Sequence, residues 1–252
     1  FHCVDSSRKI FLNTSLAMKA AQTGGEEWDA IKNADPYNFK PDHPSGKGDS
    51  LSISREWKAG DVYLIDRGTG PSGNDRGKVK LQLKRLDEQT YHFRYAFLNS
   101  EKSYEATVTK DNRFNYLAYS FEDHESKQIA PAKDQYDLVF TQYTHVFYQP
   151  YRPYLLTGVM LNRHNTKAAM DTTHSFEEMD RQKAQQKVLY DHRDVIGYDW
   201  KSFSLETRTF SMNPEQVYII QDQEGFYYKL HFRDFYNDNG QKGYPLFAVK
   251  RL

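Results

Sequence analysis

Val217-Tyr218-Ile219-Ile220, a turn at Glu224-Gly225, then Phe226-Tyr227-Tyr228-Lys229-Leu230-His231-Phe232: this stretch decides the fold. Each apolar run is too short for an ordinary helix and is rich in β-branched and aromatic side chains, which suit a pleat. Two such runs around a Gly-containing turn read as a β-hairpin. A second turn at Asn237-Asp238-Asn239-Gly240 leads into another strand, Tyr244 to Val249.

Toward the N-terminus the same pattern recurs. Val62 to Ile65, Val79 to Leu86, Tyr91 to Phe97, Tyr104 to Val108 and Tyr116 to Phe121 alternate or cluster apolar residues over strand lengths, with polar turns between them. This predicts an antiparallel meander. The Gly-rich loop 68–73 runs from strand to strand with no helix N-terminus behind it, so it reads as a long hairpin loop rather than an anion cradle. Tyr136 to Tyr148 reads as a long aromatic strand broken at Pro150 and Pro153, and Tyr154 to Leu161 as the next. Ser175-Phe176-Glu177-Glu178 has the spacing of a capping box and predicts a helix through Met179, Ala184, Val188 and Leu189. Leu16 to Ile31 has helical composition interrupted by Gly24-Gly25, and a Pro- and Gly-punctuated strap follows it. The expected fold is all-β, a mostly antiparallel sandwich or flattened barrel with one or two peripheral helices. Residues 1–50 are expected as an N-terminal helical segment and linker strap, and 51–252 as one β domain.

Composition agrees. Of 252 residues only 38% are hydrophobic, yet 15% are aromatic, which suits sheets with one wet face. Thirty-four Lys and Arg balance 34 Asp and Glu, so nucleic-acid binding driven by a basic surplus is excluded. No apolar run reaches the length of a membrane span. The chain opens at Phe1 without a basic or apolar leader pattern, so any targeting segment is expected outside these residues. Lone Cys3 removes the disulfide-scaffold class; Phe1 and His2 precede it, which disfavours a lipid-anchor reading.

Motifs for zinc proteases, phosphate loops and nucleophile elbows are missing. Paired carboxylates at Glu26-Glu27 and Glu177-Glu178 read as solvated helical turns. The segment from His145 to His174 stands out. It holds His145, His164 and His174 with Met160 and Met170 interleaved, side chains able to ligate a haem iron axially. Singly, each His is more simply a surface imidazole.

Tyr136-Asp137-Leu138-Val139-Phe140, Thr157 to Asn162, Val195-Ile196-Gly197-Tyr198-Asp199-Trp200-Lys201 and the closing run from Val217 to Pro245 resemble the HmuY family of bacterial surface haem-binding lipoproteins. The resemblance covers roughly residues 55 to 252. It implies a mostly antiparallel β fold without enzymatic activity, export to the cell surface or beyond, and capture of haem for an outer-membrane TonB-dependent receptor. It also implies two axial ligands, His or Met, after the long strand. The sequence departs from the family at Tyr136, where Trp is common, and through the Tyr148-Gln149-Pro150-Tyr151-Arg152-Pro153 insertion. The ligands therefore do not carry over residue by residue. Residue chemistry favours His145 and His174 as the pair, with Met170 and His164 as substitutes, and Arg152, Arg163 and Lys167 as partners for haem propionates. The alternative is a surface protein on the same scaffold that binds another small molecule, a glycan or a protein.

Overall fold

The short runs Val62-Tyr63-Leu64-Ile65 and Val217-Tyr218-Ile219-Ile220 are buried at every position, so each must lie in a sheet covered on both faces. A computed structural model places them so. It describes residues 2–4, 9–53, 56–87 and 89–252, the first three and residues 85 and 86 by backbone alone. The expectations for the Cys3 thiol lie outside the described side chains.

The chain divides into two compact units, Phe1–Lys133 with Gln142–Leu156, and Asp134–Thr141 with Thr157–Leu252. In the first, strands β3 (Lys19–Gln22), β4 (Val62–Asp66), β5 (Lys78–Leu86), β6 (Thr90–Phe97) and β7 (Ser103–Thr109) form one antiparallel sheet in chain order. A second sheet orders β2 (Ile10–Phe11), β1 (His2–Val4), β8 (Tyr116–Ser120) and β9 (Glu125–Lys127). Tyr63, Ile65, Leu81, Phe93 and Tyr95 share one core with Ile10, Leu12 and Tyr119, with Phe93 edge-on to Tyr119 at 5.0 Å. The opposite face of the five-stranded sheet, Val62, Leu64 and Ala96, is covered by Trp28 and Ile31.

Residues 16–31 are therefore not the expected helix. Lys19–Gln22 pairs with β4 as a strand, while Ala17 and then Gly24 and Gly25 take positive φ (56°, 74° and 90°) that no α-helix tolerates. Sheet pairing overrides the helix propensity of the alanines. The strap follows, anchored where the buried Asp42 carboxylate accepts the amides of Leu12 and Ser52, both at 2.8 Å. Residues 1–50 thus lie within the first unit and supply it with strands and a cover.

In the second unit, β12 (Lys167–Asp171), β15 (Val217–Gln221), β16 (Tyr227–Tyr236) and β17 (Lys242–Arg251) form a four-stranded antiparallel sheet in that order. Tyr218, Ile220, Leu230 and Phe232 pack on Val159, Ile196 and Trp200; Val217 and Ile219 pack on Met179 and Ala184. A small pair, β13 (Lys201–Phe203) with β14 (Phe210–Met212), flanks this core. The capping box forms, with Ser175 N–H donating to Glu178 Oε2 at 3.0 Å and Glu178 N–H to Ser175 Oγ at 3.3 Å. The one α-helix among the described residues, α1 (Arg181–Gln185), nevertheless starts later, capped by Asp180. Short helix α1 thus replaces the longer one expected.

Strands β10 (Leu138–Tyr148) and β11 (Tyr151–Leu161) make a two-stranded ribbon whose tip belongs to the first unit and whose base belongs to the second. Pro153 lies inside β11 rather than ending it, because a two-stranded ribbon is all edge and tolerates a missing N–H. Among the described residues every sheet is open, so the sandwich reading holds and the barrel alternative does not.

Candidate ligand-binding site

Just past β12, Asp171, Thr173 and His174 form a tight cluster. The Asp171 carboxylate is buried and accepts four hydrogen bonds. Its Oδ1 takes the Thr173 amide at 2.8 Å and the Thr173 hydroxyl at 2.7 Å. Its Oδ2 faces His174 Nδ1 at 2.8 Å and Lys187 Nζ at 3.1 Å. Burial pushes the Asp171 pKa up, but the bonds from His174, Thr173 and Lys187 together outweigh it and hold the carboxyl well below the usual range. The carboxylate is therefore an acceptor only.

That network fixes the His174 tautomer. The single hydroxyl hydrogen of Thr173 is committed to Asp171, so the Thr173 oxygen, 3.0 Å from His174 Nδ1, accepts as well. Nδ1 faces two acceptors and must carry the proton, which in the neutral ring leaves the lone pair on Nε2 of a side chain that is one third exposed. A His whose second nitrogen donates to a carboxylate is oriented and made more basic, the usual arrangement of a metal-ligating imidazole. His174 thus fits a haem iron by the chemistry of its donor and its brace. Asp171 and Lys187 were not singled out in the sequence; the spacing Asp171-x-x-His174 is a signal for the carboxylate, whereas Lys187 reaches it only through the fold.

The other predicted residues are spread out. Met170 is 44% exposed on β12, paired with Tyr218, and its side chain leaves the strand on the face opposite to Asp171. His164 sits in the turn joining β11 to β12, its amide held by Asn162 Oδ1 at 2.8 Å. Arg163 is half-buried in that turn, and Lys167 is exposed at the start of β12. Met160, by contrast, is buried in the core and unavailable as a ligand. His145 and Arg152 belong to the first unit, on the ribbon tip. His145 lies edge-on to Phe147, centroids 4.9 Å apart, and the Arg152 guanidinium rests over the Tyr154 ring at 5.7 Å.

The ribbon tip gathers exposed apolar side chains: Phe147, Tyr148, Tyr151, Tyr154 and Leu155 are all more than a third exposed. Contiguous exposed aromatics of this kind mark binding surfaces. Beside it, within the same unit, lies a cleft of about 560 Å³ between Tyr148 and Tyr151 on one wall and strap residues Lys40, His43 and Asp49 on the other. Its volume is in the range of small-molecule sites. Among the described residues no group of three or more His, Cys, Asp or Glu is arranged around a metal ion. No described helix is long and apolar enough to cross a membrane.

Fold and side chains together describe an antiparallel β scaffold for ligand binding. The model of the HmuY protein family matches residues 1–248, and the chain belongs to that family. The match takes in the first fifty residues, beyond the stretch whose sequence resembles the family. The family is associated with haem binding and is a binding family rather than an enzyme family. No curated protein and no solved structure matches the chain significantly.

Proposed function

We propose that this protein is a non-enzymatic haem-binding protein of the bacterial surface, which captures haem and hands it to an outer-membrane TonB-dependent receptor. The observation that carries this reading is the braced His174 ring, its Nε2 lone pair presented by the buried Asp171 carboxylate. Haem bound there supplies a planar apolar surface and an iron that takes axial nitrogen or sulfur ligands. His174 is the first ligand. Of the other sequence candidates, His164 and Met170 stand in the same unit as His174 and are offered for the second position, with Arg163 and Lys167 as cationic partners for the propionates; His145 and Arg152 belong to the first unit. Family membership supports the cell-surface location.

Titration of haem into the purified protein, read by absorbance, tests this. The account expects a saturable Soret band that shifts or is lost in His174→Ala. Changes in the same band in Met170→Ala and His164→Ala assign the second position. No spectral change on adding haem refutes the reading, and an unchanged spectrum in His174→Ala refutes the ligand assignment.

A further inference from the structure

We infer that the cleft of the first unit is a second, haem-independent site that takes a neutral oligosaccharide. The strap wall is set in place before any ligand arrives: His43 N–H donates to Ser50 O at 3.0 Å, and Gly46 N–H to His43 O at 3.1 Å. The His43 ring is pinned by Ser45, whose amide donates to Nδ1 at 3.1 Å and whose hydroxyl lies 2.8 Å from the same nitrogen. Nδ1 is therefore the acceptor, and the neutral ring carries its proton on Nε2. This is the reverse of His174: His43 offers a hydrogen-bond donor and no metal lone pair.

The remaining wall fits the same ligand class. Lys40 and Asp49 line the cleft, and neither side chain has an ion-pair or hydrogen-bond partner among the described residues. They supply one cationic donor and one anionic acceptor, so the wall has no net charge to select an ionic ligand. Opposite stand Tyr148 and Tyr151, 63% and 56% exposed, with rings 6.2 Å apart at 62°. A sugar ring presents apolar C–H groups on its face and hydroxyls that each donate and accept at its edge. An aromatic wall facing separate donors and acceptors meets both requirements, whereas an anion would meet Asp49 and a purely apolar ligand would leave Lys40 and Asp49 unsatisfied.

Saturation-transfer NMR on the full chain without haem, using chitotriose and maltotriose as probes, tests the site. Transfer to the sugar ring protons is expected from at least one of them. It should fall roughly five- to tenfold in apparent affinity in Tyr151→Ala and in Asp49→Asn, as loss of one aromatic contact or one charged hydrogen bond implies. Tyr151→Phe should retain most of it, and His174→Ala should leave it unchanged. Both positions are exposed, and matching thermal melts show that the variants are folded. No transfer from either sugar overturns the proposal, as does transfer that survives Tyr151→Ala and Asp49→Asn. Transfer abolished by His174→Ala overturns the independence of the site. The Soret titration is separate, so failure of haem binding leaves this outcome readable.

Discussion

All four hydrogen bonds into Asp171 come from donors: the Thr173 amide and hydroxyl on one oxygen, His174 and Lys187 on the other. Asp171→Asn keeps the shape but turns an NH₂ toward a donor whichever way the amide is flipped. Facing His174, that NH₂ moves the ring proton to Nε2 and removes the lone pair. We expect haem affinity to drop about 10- to 100-fold in Asp171→Asn, the usual effect of removing a carboxylate behind a metal-bound His, with circular dichroism unchanged. Native affinity in this variant would show that the brace is only structural.

Lys201 carries a second prediction at this scale. Its ammonium is buried, donating to Thr157 O at 2.6 Å and lying 4.0 Å from the Trp200 ring centroid. Burial lowers its pKa from 10.5 to about 8, against a weaker raising influence of Asp199. The folded-state value lies below the unfolded one, so between about pH 8 and 10.5 the unfolded chain binds more protons and stability rises with pH. Relative to Lys201→Met, the wild type should gain roughly 2 kcal/mol between pH 7 and 9.5 in urea unfolding. Parallel pH profiles for the two proteins would contradict the assignment.

At the scale of elements, the two units solve one problem alike. Each central sheet is apolar on both faces, and each projects a buried lysine to hold the segment covering its second face. Lys80 donates to Trp28 O at 2.9 Å and Ile31 O at 3.2 Å; Lys229 donates to Met179 O at 2.8 Å and also to Phe176 O. The hairpins were legible because strand period and turn residues are local: Val217 to Phe232 alone gives β15, its turn and most of β16. Residues 16–31 were not, because alanines favour a helix locally while the pairing of Ala20 with Ile65 and Ala21 with Leu64 is long-range. The loop 68–73 was legible as a hairpin connection, and its Gly68 shows the constraint. Gly68 has φ of +68°, and a Cβ there would stand 1.8 Å from Leu16 O. Gly68→Ala should therefore lower stability by about 2–4 kcal/mol, seen as a lower urea midpoint. A loss below about 0.5 kcal/mol, the range of ordinary surface changes, would mean that the β4–β5 loop moves away from Leu16 freely.

For the whole molecule, balanced charge and abundant aromatics are accounted for by open sandwiches whose outer strands and ribbon keep aromatic side chains in water. The candidate ligand segment was visible as a window from His145 to His174, because those residue types are rare and clustered. What spacing alone does not reveal is that Met160 is core, that Met170 and Asp171 leave β12 on opposite faces, and that His43, far away in the strap, lines a cleft with Tyr148 and Tyr151. Tautomers set by hydrogen bonds separate the two imidazoles that matter most: His174 offers a lone pair and His43 a proton. The central claim is that His174 holds haem iron. Absorbance titration of haem into the wild-type protein and into His174→Ala tests it most directly. A saturable Soret band in the wild type that is shifted or lost in the variant is the predicted result; no band in the wild type, or identical bands in both, would contradict it.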